Sequence, residues 1–121
     1  MIRQVAIGLC LMCVVSACGA NSTSPSSGTS TGTAVSIPVG ARTLGTSAYV
    51  PSPITVASGS TVTWTNNDSI AHTSTSTDAG AVFDSGTVAA GGKFSFTFQN
   101  KGTFAYHCTF HPGMIGSIVV Q

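Results

Sequence analysis

Seven residues near the C-terminus, Cys108-Thr109-Phe110-His111-Pro112-Gly113-Met114, constrain this chain more than any other stretch. A thiol, an imidazole and a thioether follow one another at equal short spacing, so a loop that turns back sharply brings all three to one point. Pro112 fixes its φ and Gly113 permits unusual values, as so short a return requires. Together the three donors form a soft set that selects copper over the hard, oxygen-seeking cations. The other cysteines and methionines, Cys10, Cys13, Cys18, Met1 and Met12, all lie within the first 18 residues.

Those first residues read as an address rather than as part of a fold. Arg3 gives a positive start, Val5 to Val15 an apolar run, and Val15-Ser16-Ala17-Cys18 a small-residue cleavage site that resembles a bacterial lipobox, the alternative being ordinary cleavage after Ala17 with Cys18 a bystander. The run is well short of the roughly 18 apolar residues that suggest a membrane-spanning helix. Residues 1–17 are therefore expected to be a lipoprotein signal peptide, with Cys18 the lipidated N-terminus of the mature protein. Several acyl chains hold a protein durably, since each buried methylene contributes about 0.8 kcal/mol. Residues 18–34, almost entirely Ser, Thr, Gly, Ala and Asn, have nothing large and apolar to bury and read as a solvated tether.

Residues 35–121 suit one small domain, in which Arg42, Lys93 and Lys101 balance Asp68, Asp78 and Asp84. No basic stripe points to nucleic acid, and no charge excess points to strong electrostatic steering. Apolar residues alternate in short runs: Val35, Ile37 and Val39; Ile54 and Val56; Val62 and Trp64; Phe94, Phe96 and Phe98; Phe104 and Tyr106; Ile118 and Val120. Alternation with period two places one face of each strand inward. Ser58-Gly59-Ser60, Ala90-Gly91-Gly92 and Asn100-Lys101-Gly102 mark turns between them. The pattern predicts an all-β sandwich or barrel, with residues 66–71 and 77–90 as loops carrying at most one short strand or helical turn.

Cys108 has no cysteine partner within the domain, and an exported free thiol risks oxidation unless buried or coordinated. An inert buried cysteine would leave His111 and Met114 at their fixed offsets unexplained. Structural zinc sites prefer paired Cys and His ligands and do not use Met. His107 adjoins Cys108, yet strand alternation turns Phe104, Tyr106 and Cys108 inward and leaves Ala105 and His107 facing outward, as surface positions.

These motifs resemble the cupredoxins over about residues 35–121, and the Cys-x2-His-x2-Met spacing is similar to that of the amicyanin and plastocyanin-like branch. Val62-Thr63-Trp64-Thr65-Asn66-Asn67-Asp68 leading to His72, and Gly102-Thr103-Phe104-Ala105-Tyr106-His107 leading to Cys108, also match the family's habit. The resemblance implies a Greek-key β-sandwich or barrel of about seven or eight strands. It implies one type 1 (blue) copper per chain, with His72, Cys108, His111 and Met114 as ligands. A second, catalytic copper of the kind reached through a histidine beside the cysteine lacks material, because the chain has only three histidines. The family usually places Asn directly after the upstream histidine. Here Thr73 stands there, opposite Thr109, so the hydrogen bonds that orient the ligands are altered. Phe110, Pro112 and Gly113 surround His111 with uncharged surface, which the resemblance makes an electron port. Ile115 fits either that patch or the core.

The function expected from these readings is a non-enzymatic one-electron carrier, anchored on the outer side of a bacterial membrane, in the periplasm or at the cell surface. It is expected to be a monomer that exchanges electrons with a protein donor and a protein acceptor. An exported copper-binding or delivery protein is the alternative. A metal-free β-sandwich interaction module would leave the ligand set without a role.

Overall fold

The computed structural model describes residues 33–121. The expected signal peptide, Cys18 and all of the tether before Thr33 lie outside the described residues. Seven strands follow in order: β1 (Ala34–Ile37), β2 (Ile54–Val56), β3 (Ser60–Asn66), β4 (Thr75–Ser76), β5 (Lys93–Phe98), β6 (Gly102–His107) and β7 (Ile115–Val120). They form two sheets, β1-β3-β5 and β2-β7-β6-β4. The β1/β3 and β2/β7 pairs are parallel and the remaining pairs antiparallel. The all-β sandwich expected from alternation is the observed architecture.

Each sheet sends its inward residues into one core. Val35, Ile37, Val62, Trp64 and Phe98 come from the first sheet and meet Ile54, Val56, Tyr106, Ile118 and Val120 from the second. Trp64 is fully buried at the centre. Its ring lies 5.3 Å from Phe83, 5.5 Å from Phe94 and 5.6 Å edge-on from Tyr106, separations at which aromatic pairs attract beyond simple burial. Gly116 faces Tyr106 across the β6/β7 ladder. A Cβ at Gly116 would meet Tyr106 Cζ at 2.5 Å, so the tyrosine ring occupies the space that any other residue's side chain would fill.

The alternation misplaces Val39, which is 75% exposed. β1 stops at Ile37 because Pro38 has no amide to continue a ladder. The chain then turns: Ala41 N–H donates to the Pro38 carbonyl at 3.1 Å, and Gly40 takes a φ of 76°. Phe94 and Phe96 face inward as expected but are only partly buried. β5 is the edge of its sheet, and the cover there comes from Phe83, on the long loop before β5. His107 is half-buried rather than a surface residue, because Thr75 of β4 and Ile115 of β7 flank it on either side.

The hairpin between β6 and β7 places Cys108 and Met114 at its mouth, where Cys108 N–H donates to the Met114 carbonyl at 3.1 Å. The β3–β4 connection reaches the same end of the sandwich. There Asn66, fully buried at the end of β3, donates through its side-chain amide to the Ile70 and Val88 carbonyls, at 2.8 and 3.0 Å. One amide side chain thus folds the following loop onto the segment before β5.

Candidate metal centre

The two loops bring His72, Cys108 and His111 together, with one donor atom from each lying within 4.8 Å of the others. Cys108 Sγ is 3.8 Å from His72 Nδ1 and 3.7 Å from His111 Nδ1. Such separations suit donors that share one ion at thiolate and imidazole bond lengths, about 2.3 and 2.0–2.1 Å for zinc. A buried thiol flanked by two imidazoles fits the soft, borderline preference of copper. Among the described residues this is the only such cluster of three ionisable donors.

Backbone contacts hold each loop donor in place. Met114 N–H donates to the His111 carbonyl at 2.8 Å, so the return between these residues is closed by the main chain itself. Cys108 and Met114 are fully buried, whereas His111 is half-buried and Phe110 is 50% exposed. Pro112 and Gly113 are also exposed. Ile115, for which sequence left core and surface both open, is 45% exposed and lies on the outside.

His72 is anchored more heavily. Its main chain pairs with Val88 in both directions, at 3.1 and 2.8 Å, while its ring is completely buried. On the ring's far side, Nε2 lies 2.8 Å from Asp68 Oδ2. That hydrogen bond is the chief reason the Asp68 carboxyl is held down at about 2, below its ordinary value. An ionised carboxylate only accepts, so Nε2 carries the proton and Nδ1 presents its lone pair towards Cys108. Sequence reasoning missed Asp68. The only hint is its spacing of four from His72, which is ordinarily a helical signal and here occurs in a loop.

Thr73 follows His72 and reaches the other ligand loop twice. Its amide donates to Cys108 Sγ at 3.3 Å, and its hydroxyl accepts from Thr109 N–H at 2.9 Å. The Thr73 hydroxyl also lies 3.0 Å from Thr75 Oγ1 and 3.3 Å from Thr109 Oγ1, within hydrogen-bond reach of both. Thr73 and Thr109 thus meet through two contacts, one from the Thr109 amide and one between the hydroxyls. The Tyr49 hydroxyl donates to the Thr73 carbonyl at 2.6 Å and fixes the same segment from beneath. Sequence reasoning missed Tyr49 too, because residues 38–53 carry no alternation to mark it as buried.

A family model for copper-binding proteins of the plastocyanin/azurin family matches residues 37–121. The chain is 35% identical over 77 residues to amicyanin of Paracoccus denitrificans, a match covering 60% of this chain and 58% of that protein, so it spans less than two thirds of that relative. It is 33% identical over 105 residues to plastocyanin of Scenedesmus fuscus, covering 72% of this chain and 99% of the other. Among solved structures, a purple cupredoxin from Nitrosopumilus maritimus superposes with a TM-score of 0.67 at 32% identity, covering 73% of this chain and 98% of that one.

Proposed function

This chain belongs to the plastocyanin/azurin family of copper-binding proteins, and we propose that it is an exported one-electron carrier. In this reading His72, Cys108 and His111 hold one copper and Met114 supplies a weak axial thioether. The observation that carries it is the convergence of two Nδ1 atoms on one buried sulfur. Copper, when bound, supplies the Cu(I)/Cu(II) couple.

The protein's own part is to bind, to exclude water and to stay still. Cys108 and His72 have no exposure to solvent, and the Thr73 amide points a fixed dipole at the sulfur. Main-chain hydrogen bonds, Cys108 N–H to the Met114 carbonyl and Met114 N–H to the His111 carbonyl, brace the ligand loop, so little rearrangement accompanies a change of charge. His111 emerges among exposed Phe110, Pro112 and Gly113. We assign this uncharged patch as the place where a redox donor and acceptor touch, because transient electron-transfer contacts are small and need little charge. Export, lipidation at Cys18 and a tether to residue 34 belong to the same proposal and rest on the N-terminal sequence pattern. A monomeric state is proposed with them.

Copper delivery is the competing reading, and the full burial of His72, Cys108 and Met114 weighs against it, since enclosed donors exchange metal slowly. Voltammetry of the copper-loaded protein, combined with a Cu(I) chelator challenge, separates the two. A carrier gives a reversible one-electron wave and keeps copper in both states. Rapid loss of Cu(I) to a competing chelator would overturn electron carriage in favour of delivery.

A further inference from the structure

We propose that Asp84 is a positioning residue for the metal centre, acting through Thr75 to fix the direction in which the Thr73 hydroxyl points. Its effect on a bound ion rests on the copper reading above, whereas the hydroxyl chain itself belongs to the copper-free protein. The need for it arises at the residue after His72. The family's usual asparagine carries its donor and its acceptor on different atoms, but a threonine hydroxyl rotates and serves in either role. A clasp made of Thr73 and Thr109 therefore takes its direction from a group outside the pair.

Thr75 Oγ1 lies 3.1 Å from Asp84 Oδ1 and 3.0 Å from Thr73 Oγ1. Thr75 has one hydroxyl proton, and a carboxylate only accepts. That proton goes to Asp84, the charged and stronger acceptor. The contact between Thr75 and Thr73 is then made with the Thr73 proton. This leaves the Thr73 lone pairs for the Thr109 N–H at 2.9 Å and the Thr109 hydroxyl at 3.3 Å. Each hydroxyl accepts from one neighbour and donates to the next, an order in which successive hydrogen bonds strengthen one another.

Asp84 is exposed, yet the fold holds it in place. It bridges Thr75, and its Oδ1 also takes the Gly86 N–H at 2.9 Å. Ser76 N–H donates to the Phe83 carbonyl at 2.9 Å and Ser85 N–H to the Ser74 carbonyl at 3.1 Å, so residues 83–85 lie along β4. Phe83, next to Asp84, is buried against Trp64. The core thus sets a surface carboxylate at one end of a chain whose other end is the residue after Cys108. Thr73 also gives its amide to Cys108 Sγ at 3.3 Å. That N–H dipole brings positive charge to the sulfur and favours the ion of lower charge, and hydrogen bonds around this sulfur tune the couple. Loosening the chain should therefore favour Cu(II).

The test compares wild type with Thr75→Val, which breaks the chain without changing charge, Thr75→Ser, which restores the hydroxyl, Asp84→Ala, and the double variant Thr75→Val with Asp84→Ala. In the copper-free protein, NMR-detected hydrogen exchange of the Thr109 amide is expected to speed up about tenfold in Thr75→Val and in Asp84→Ala, the upper end of what one hydrogen bond contributes. Thr75→Ser is expected to exchange as wild type does. The double variant is expected to exchange no faster than Thr75→Val alone, because Asp84 acts through that hydroxyl. In the copper-loaded protein, Thr75→Val is expected to shift the Cu(I)/Cu(II) ratio at fixed applied potential about threefold towards Cu(II), the lower end of one hydrogen bond's contribution, and Thr75→Ser to leave it unchanged. Unchanged Thr109 exchange in a folded Asp84→Ala variant, or single effects that simply add in the double variant, would overturn the proposal whether or not copper binds. An unchanged ratio in Thr75→Val would overturn its reach to the metal. Failure of the copper reading is distinguishable from both, as a wild-type protein whose Thr109 amide responds as expected but which takes up no copper.

Discussion

The amide of Thr73 donates to the sulfur of Cys108 across 3.3 Å, although one residue lies in the loop before β4 and the other in the loop after β6. This contact and the Thr73 hydroxyl's bond to Thr109 N–H make one residue the clasp between the His72 loop and the ligand hairpin. Thr73→Ala keeps the amide but removes the hydroxyl acceptor. It should destabilise the copper-free protein by about 1–2 kcal/mol, the cost of leaving a partly buried amide without its partner. Thr73→Ser should recover most of the loss, as measured by denaturant unfolding.

Gly116 should tolerate no side chain. A methyl there would enter the Tyr106 ring, and overpacking of this kind costs about 1–3 kcal/mol. Gly116→Ala should lower the unfolding midpoint, and combining it with Tyr106→Leu should cost less than the two changes added separately. Strict additivity in that cycle would show that the ring and the glycine do not meet.

Both tyrosines of the chain are buried, and burial is the first cause pushing each phenol's pKa well above its ordinary value. The neutral form is thus favoured in the folded state. The resulting stability is fully present below the unfolded-state pKa of about 10 and declines as the pH climbs beyond it. Tyrosinate absorbance should therefore stay flat on raising the pH until the protein unfolds, then rise together with the loss of tertiary signal. A tyrosine that ionises near its ordinary pKa while the fold persists would contradict the observed packing of Tyr49 or Tyr106.

Met114 is completely buried, so its thioether has a packing role whatever else it does. Met114→Leu nearly conserves volume and should cost less than about 1.5 kcal/mol in the copper-free protein. If the sulfur is the axial ligand, the same change should alter the copper spectrum and raise the potential, because the axial ligand tunes it. A spectrum and potential identical to wild type would leave Met114 as core packing alone.

The sequence made the sandwich legible because Val35, Val62, Trp64, Tyr106 and Ile118 alternate with polar neighbours, and it made the ligand hairpin legible because three donors share one short spacing. It pointed to His72 as the second histidine that a Cys, Met and two-His copper set needs, and again through family resemblance. Asp68 was hidden because a carboxylate in an Asn-Asn-Asp-Ser stretch reads as a solvated turn. Its burial depends on where Asn66 folds the loop, which no local pattern records. Tyr49 was hidden for the same reason, and Val39 was misread because alternation carries no marker for the point where Pro38 ends a strand. What local periodicity encodes could be read, whereas contacts made by loops across the sandwich could not.

Whether Cys108, His72 and His111 hold one copper is decided by visible and EPR spectroscopy of the Cu(II)-loaded protein beside its Cys108→Ser variant. The expected result is one copper per chain, with an intense visible charge-transfer band from the thiolate and a narrow copper hyperfine splitting, both lost in Cys108→Ser. A colourless copper-loaded protein, or a band that survives in Cys108→Ser, would contradict the claim.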